Sequence, residues 1–389
     1  MSTLRKKIRL ALKNPELAWH KLGITARNEV TAKWDYYLHK GKANPPKVIS
    51  IRLTNACNMR CKMCGQPRMD DESIPRDFFT KHLELEQWKN LIDQVARYRP
   101  NIYLWGGEPF IYKGIIELVK HIKTKRLTCQ INTNGLLLFK NAEQIVKSGL
   151  DDLIISIDGP AEVHDEIRGI PGAFTKIRKG VLKIQDIKKS LSTRKPIIRV
   201  RGTVNPYNFE HLYDLIDIAK DFQADSLNFN HFWFTSHEEG EKYQQIMKNL
   251  FSCEATSWRG FVFEPNGLDT EALRTELQKF EQNNADFPIT LSPYVKGPEI
   301  ERYYNDLKYT FGSERCYAIW FKTYLMPNGD VTPCPDFPDY IVGNILQDKF
   351  INIWNSTRYT EFRSTVKHHK TLPICARCCD LYVSNINFL

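Results

Sequence analysis

Three thiols stand within eight residues in Cys57-Asn58-Met59-Arg60-Cys61-Lys62-Met63-Cys64, directly after the run Val48–Leu53. A Cx3Cx2C spacing on one tight loop lets three sulfurs converge on a single centre while the backbone between them wraps it, and iron-sulfur clusters are held by thiolates in this way. A structural zinc takes four protein ligands, usually two CxxC pairs or a CxxC with two histidines, and no fourth Cys or His stands near this triplet. Three protein ligands leave one metal corner open. The bland alternative, incidental buried thiols, fits poorly with so tight a cluster. A second set lies toward the C-terminus: Cys316, Cys334 and Cys375-Ala376-Arg377-Cys378-Cys379. Asn328-Gly329 between short strands is a type I′ hairpin signal. Such a hairpin carries Cys334 toward Cys316, and the terminal CxxC closes a four-thiolate site, with Cys379 the alternative to Cys378. By count alone, four thiolates suit zinc equally well.

What must position these thiols is a repeating backbone pattern. From Lys47 onward short β-branched runs alternate with longer helical patterns, the signature of βαβ units around a parallel sheet. The candidate strands are Val48–Leu53, Ile102–Trp105, Cys129–Asn132, Leu153–Ile157, Ile197–Thr203 and Ser226–Asn230. Loops at the carboxyl ends of barrel strands build the site, and the polar segments fall there. The second run ends in Gly106-Gly107-Glu108-Pro109, where two glycines permit close backbone approach to a ligand and Glu108 sets a carboxylate beside it. The third ends in Asn132-Thr133-Asn134-Gly135, and the fourth in Ser156-Ile157-Asp158-Gly159-Pro160, followed by His164-Asp165 and Arg168-Gly169. Asn205 and Asn230 close the fifth and sixth, either as cofactor or substrate contacts or as partners for barrel-rim backbone. Residues 232–310 are a helical connection with aromatics at Trp258, Phe261 and Phe263, and substrate-specific contacts are expected there.

In this order the segments resemble the radical S-adenosylmethionine (SAM) enzymes. Cx3Cx2C after a strand looks like the family's signature loop, Gly106–Glu108 like its GGE motif and Thr133–Gly135 like its TNG segment. The stretch from Ser156 to Gly169 resembles the SxDGP…HDxxRG pattern of the subgroup with SPASM or twitch extensions. Met63 stands where the family commonly has an aromatic residue, and a thioether packs on a ring too. The resemblance implies an α/β fold, a partial (β/α)6 TIM-like barrel with a small C-terminal SPASM-like iron-sulfur domain. It implies that Cys57, Cys61 and Cys64 hold a catalytic 4Fe-4S cluster whose open iron chelates SAM, and that reductive cleavage of SAM gives a 5′-deoxyadenosyl radical that abstracts hydrogen from substrate. It assigns Gly106, Gly107 and Glu108 to the SAM ammonium and Ser156 and Arg168 to the SAM carboxylate or ribose, with Asn134 and Asn205 as further contacts. His164 and Asp165 are read as helix caps. Cys316, Cys334, Cys375 and Cys378, spaced x17, x40 and x2, resemble a single-cluster SPASM-like set holding a second, auxiliary 4Fe-4S cluster. Val342-Gly343-Asn344-Ile345 followed by Trp354 matches the family's usual connection. Cys253 is either a hydrogen-atom donor, as a thiol is in some radical epimerases, or a buried structural thiol.

The 389 residues, 42% hydrophobic and 26% charged, suit a soluble chain with a full core and a smaller second domain. The expected division is 1–46, a basic helical extension and linker; 47–231, the barrel; 232–310, the connection; and 311–389, the auxiliary-cluster domain. In the extension Leu4, Ile8 and Leu12 share one stripe, Asn14-Pro15 breaks it, and Leu17, Trp19 and Leu22 follow. It reads as a cap for the barrel or as a peripheral membrane contact. With no membrane span or signal sequence evident, a cytoplasmic location is expected. The net charge of +10 favours acidic partners: a low-potential donor such as flavodoxin or ferredoxin, and an anionic substrate. The main functional expectation is an oxidoreductase or isomerase that dehydrogenates or epimerises a small molecule, sugar or glycolipid. The alternative is a ribosomal-peptide or protein-modifying maturase. A zinc-binding nucleic-acid module would use the charge differently but lacks an aromatic-basic recognition motif.

Overall fold

The computed structural model describes residues 30–263, 268–382 and 387–388. Seven parallel strands follow one another in space: β1 (Val48–Arg52), β2 (Asn101–Trp105), β3 (Cys129–Thr133), β4 (Asp152–Ser156), β5 (Ile197–Val204), β6 (Ser226–His231) and β7 (Ile289–Ser292). The first six occupy the runs anticipated from sequence, shifted by a residue or so at their ends. The seventh lies in what sequence treated as a helical connection. Its four residues sit between Pro288 and Pro293, and proline beside so short a run argues against a strand. Burial on both faces overrides that local signal.

Four further strands lie at the two edges. β8 (Lys322–Leu325) runs parallel to β1, with Val48 opposite Lys322 and Ser50 opposite Tyr324. β9 (Asp330–Thr332) and β10 (Gly343–Asn344) continue antiparallel from it, while β11 (Asn387–Phe388) pairs antiparallel with β7. The C-terminal segment therefore touches both edges of the parallel sheet. The β8–β9 turn differs from the expected type I′. Only Gly329 has a positive φ, +88°, and its N–H donates to Met326 O at 2.9 Å. With Pro327 second and glycine fourth, this is a type I turn continued by a left-handed glycine.

The sheet has two unlike faces. Ile102 and Leu104 of β2, Ile131 of β3 and Val200 of β5 point outward to Trp88, Leu91, Ile92 and the other buried apolar residues of the surrounding helices. The alternate residues Tyr103, Trp105, Gln130, Asn132, Arg199, Arg201, Asn228 and Asn230 are half-buried. Arg201 Nη1 donates to Tyr103 Oη at 3.3 Å. A bond from β5 to β2 that skips two strands runs through the interior, so these polar residues line a lumen. Closed eight-stranded barrels fill that space with branched apolar side chains; here it is polar.

The apolar stripe of Leu4, Ile8 and Leu12, with its flanking basic residues, lies outside the described residues. Residues 30–38 are helical, and the linker after them is clamped from the C-terminal region. Asn355 exchanges two 3.0 Å bonds with the Ala43 backbone, and Trp354 Nε1 donates to Asn44 O at 2.8 Å. No helix among the described residues is long and apolar enough to cross a membrane.

Candidate active site

The cysteine loop leaves the carboxyl end of β1 and is fixed by backbone contacts to its neighbours. Gly107 N donates to Thr54 O and Glu108 N to Ala56 O, both at 2.8 Å. A Cβ on Gly107 would fall 2.2 Å from Ala56 O, and one on Gly106 2.6 Å from Thr54 O. The close approach that these glycines permit is thus to the cysteine loop itself. On the other side Lys62 N donates to Ile167 O at 2.8 Å and Arg60 N to Arg168 O at 3.2 Å. Glu108 is fully buried. Its oxygens accept from Thr133 Oγ1 at 2.7 Å, Asn134 N at 2.8 Å and Phe110 N at 3.0 Å, tying the β2 and β3 loops together. Burial, opposed by these bonds, raises its pKa to about 7.

Each of the three thiols meets a donor or a cation. Asn134 Nδ2 lies 3.9 Å from Cys57 Sγ while bonding Asn58 Oδ1 at 2.8 Å. Arg168 Nη1 lies 3.6 Å from Cys61 Sγ, and its Nε donates to the buried Asp158 carboxylate at 2.6 Å. Burial opposes the Arg168 charge, but Asp158 and then Cys61 outweigh it and hold the guanidinium above its ordinary pKa. Burial and then the neighbouring Cys61 raise the Cys64 thiol, with Arg168 and Arg52 pulling it down. Burial leads in lifting Cys57 to about 11. Three crowded thiols with fixed donors fit a group that takes them as thiolates.

Behind this shell, His164 Nδ1 accepts from Asp158 N at 3.2 Å, and Asp165 accepts from Phe174 N at 2.8 Å at the start of the next helix. Both read as caps in sequence, and both hold backbone. Ser156 stands on the lumen face opposite Arg201 in register. Asn205 is fully buried and its side chain is taken up by its own loop, donating to Thr203 O at 2.8 Å and accepting from Tyr207 N at 2.9 Å. These are bonds of the barrel-rim kind. Cys253 is not brought to the lumen: its thiol faces Asp339 O at 3.4 Å, beyond the C-terminal end of the helix His237–Phe251.

The C-terminal cysteines form a second centre. Cys316, Cys334, Cys375 and Cys378 line one cavity, whereas Cys379 is exposed and outside it. Burial raises Cys316 to about 12 and Cys375 to about 11, and it carries Cys334 well up as well, helped by Cys375 and Cys316. Protonated thiols are comfortable in such a site only until a metal takes them. Among the described residues no three His, Cys, Asp or Glu side chains are gathered as tightly as one metal ion requires. The four cysteines line one cavity and could hold an iron-sulfur cluster there.

Between the two centres runs a buried charge network that sequence reading missed. Arg52, 3% exposed, stacks over Trp105 at 5.4 Å; burial brings its pKa down to about 10, against the pull of Asp336, Cys64 and Cys57. Asp336 lines the C-terminal cavity, and burial followed by Asp380 raises it to about 6. Asp380 receives Lys322 Nζ at 2.9 Å and the Tyr324 hydroxyl. An aromatic wall parallels this network: the Phe261 ring covers Gly65, Trp233 meets Phe261 at 4.2 Å and Phe337 at 4.3 Å, and Phe337 lines the cavity. The run Cys334-Pro335-Asp336 and the pair Cys379-Asp380 were the available signals, each an acid beside a cysteine.

Residues 51–193 match the radical SAM superfamily, and residues 316–379 match SPASM, an iron-sulfur cluster-binding domain. An AdoMet-dependent heme synthase of Nitratidesulfovibrio vulgaris is 30% identical over 346 residues, 82% of this chain and 81% of that one. The antilisterial bacteriocin subtilosin biosynthesis protein AlbA of Bacillus subtilis is 26% identical over 316 residues, covering 80% of this chain and 60% of its own. The crystal structure of Streptococcus suis SuiB bound to S-adenosylmethionine superimposes with a TM-score of 0.60 at 16% identity, covering 93% of this chain and 78% of that one.

Proposed function

Because this chain belongs to the radical SAM superfamily and carries a SPASM iron-sulfur domain, we propose that it is a peptide- or protein-modifying enzyme that takes hydrogen from a substrate held in the lumen between its two cysteine centres. Its catalytic and auxiliary 4Fe-4S clusters and SAM, when bound, supply a 5′-deoxyadenosyl radical and a second site for an electron. Cys57, Cys61 and Cys64 would hold the first cluster, and Cys316, Cys334, Cys375 and Cys378 the second. Asn134 and Arg168 donate toward the loop sulfurs, which stabilises them as thiolates. Ser156 and the GGE loop stand where SAM would be received, and Glu108, whose oxygens tie the β2 and β3 loops together, would read its ammonium if that loop opens to it. The Phe261–Trp233–Phe337 rings give the space between the centres an apolar side. A flavodoxin- or ferredoxin-type donor supplies electrons, and the excess of basic residues favours so acidic a partner.

The observation that carries the peptide reading is the lumen lining. Its unpartnered buried atoms are of both kinds, the donors Trp105 Nε1 and Arg201 Nε and the acceptor Asn132 Oδ1. A peptide offers donors and acceptors in alternation, and Asn and Gln amides answer both. The AlbA likeness supports this reading, and neither it nor the heme synthase supports the sugar or glycolipid substrate expected from sequence. A second reading, a carboxylated tetrapyrrole, is favoured by the heme synthase, which the chain matches over four fifths of both lengths.

The test is anaerobic reconstitution with SAM and reductant, following 5′-deoxyadenosine and product mass with peptides encoded beside the gene and with iron coproporphyrin III. Peptide-stimulated cleavage with a modified peptide supports the first reading. Stimulation by the porphyrin alone replaces it with the second. An oxidised product is two hydrogens lighter, whereas an epimerised one keeps its mass and gains solvent deuterium at one carbon. Glu108→Gln should weaken SAM binding about tenfold or more if the carboxylate reads the ammonium; unchanged affinity leaves it as a loop tie only.

A further inference from the structure

The lumen is not charge-balanced. Arg199 on β5 is paired with Asp152 on β4 at 2.5 Å, and Lys322 on β8 with Asp380 at 2.9 Å. Arg201, two residues along β5 on the same face, has no acidic partner among the described residues. Its one hydrogen bond runs from Nη1 to the Tyr103 phenol at 3.3 Å, and its Nε is buried without a partner. A half-buried guanidinium whose Nε is enclosed without a partner suits an anion with planar geometry, since two parallel N–H groups match the two oxygens of a carboxylate. Asn132 and Trp105, each with an orphaned buried polar atom, lie on the same lumen face of the strands next to and beyond β4.

Two features say which molecule brings the carboxylate. Arg168, the cation that sequence reading offered for the SAM carboxylate, is occupied by Asp158 and stands beside Cys61. Arg201 instead reaches across to Tyr103, one step along the β2 lumen face from Trp105 toward the amino end. Tyr103 lies within the field of Lys322, whose own partner Asp380 lines the C-terminal cavity. Tyr103 thus sets one end of the subsite toward the auxiliary side of the lumen, while Arg201, opposite Ser156 in register, sets the other beside the rim that receives SAM, which is why SAM affinity is read in the same test.

We infer that Arg201 and Tyr103 form a carboxylate subsite for the substrate, so that the substrate class is one presenting a carboxylate, such as an acidic side chain or a C-terminus of a peptide. This rests on the reading of the lumen as the substrate chamber. Arg201 forks the carboxylate through Nε and a terminal nitrogen, and Tyr103 donates its hydroxyl to the oxygen nearest β2. The contact fixes which carbon faces the cysteine loop and involves no covalent step.

The test is binding, with turnover left out. Glutarate and its neutral counterpart glutaramide are titrated into the reconstituted holoenzyme, and SAM affinity is measured on the same samples. Glutarate should bind and glutaramide should bind at least about tenfold more weakly. Arg201→Gln should weaken glutarate about tenfold or more with SAM affinity unchanged, and Tyr103→Phe should weaken it severalfold. Tyr103→Phe removes only a hydroxyl and stays informative if Arg201→Gln loses iron or fails to fold. Equal binding of the two probes, glutarate binding that survives both substitutions, or loss of SAM affinity in place of glutarate affinity would each overturn the assignment. Failure of every candidate peptide to be modified would count against the proposed function and leave these binding results standing.

Discussion

The two cysteine centres of this chain are built in opposite ways. The loop centre gathers three thiols from eight residues, on backbone pinned by four main-chain hydrogen bonds to the β2 loop and to the helix Ala161–Arg168, and it sets polar groups against the sulfurs. Asn134 and Arg168 donate, and Arg52 adds positive charge. The C-terminal centre draws four thiols from three separated segments into one cavity whose charged neighbours are the acids Asp336 and Asp380. Burial and mutual repulsion hold its thiols protonated until metal arrives. The difference matches two tasks. A centre with an open metal corner has to admit and orient a ligand, so its sulfurs are held by the surrounding scaffold. A centre closed by four thiolates has to keep its cluster and pass electrons, so the metal itself organises the fold around it.

Breaking the first centre should have the largest effect. Changing Cys57, Cys61 and Cys64 together to Ala should abolish 5′-deoxyadenosine formation while iron bound by the C-terminal centre persists. Residual SAM cleavage by the triple variant would refute the loop as the catalytic site.

Breaking the second should reach further than iron. Cys334→Ala should remove the C-terminal cluster and lower the melting temperature of the whole chain, because β8 pairs directly with β1 and β11 with β7. A drop of roughly 1 to 3 °C is expected from a loss of one or two kcal/mol in a chain of this length. Iron loss with an unchanged melting curve would mean that the C-terminal region folds without its metal.

A pH series sharpens the contrast. Burial and the neighbouring Arg168 depress His164 to about 4, and the neutral ring accepts the Asp158 N–H. A depressed base adds stability above its unfolded pKa near 6.5, lost as pH falls through about 4. Denaturant unfolding of the apoprotein should therefore show a loss of roughly 3 kcal/mol across that window. His164→Phe should flatten it. An unchanged pH slope in that variant would place the loss elsewhere.

The smallest effect separates two adjacent cysteines. Cys379→Ser should leave iron content near that of the parent, because Cys379 lies outside the cavity, whereas Cys378→Ser should lose C-terminal iron. The reverse result would exchange their roles.

Much of this protein was legible locally. The Cx3Cx2C loop, the six strands and the glycines after β2 are encoded within a few residues of one another, where spacing and alternation act directly on the backbone. β7 escaped because its flanking prolines speak against a strand and only burial on both faces makes it one. The type I turn before Gly329 escaped because Pro327 outweighs the Asn-Gly signal. Glu108, Asn205 and Cys253 each carried a plausible chemistry in sequence, and which atoms they touch depended on loops brought from elsewhere.

By itself, the sequence determined the chemistry-bearing residue types, their order along a parallel sheet and the presence of two thiol sets. The tertiary structure decided what those sets face. Arg201 meets Tyr103 across 98 residues, Tyr324 meets Asp380 across 56, and Arg52 comes to lie between a loop thiol and Asp336. Such pairs share no local pattern, because their meeting depends on strand register and on the parallel seam of β8 against β1. Burial then gathers these charges into one network in which Arg199 and Lys322 are paired with acids, while the Arg52 and Arg201 Nε groups are left without hydrogen-bond partners.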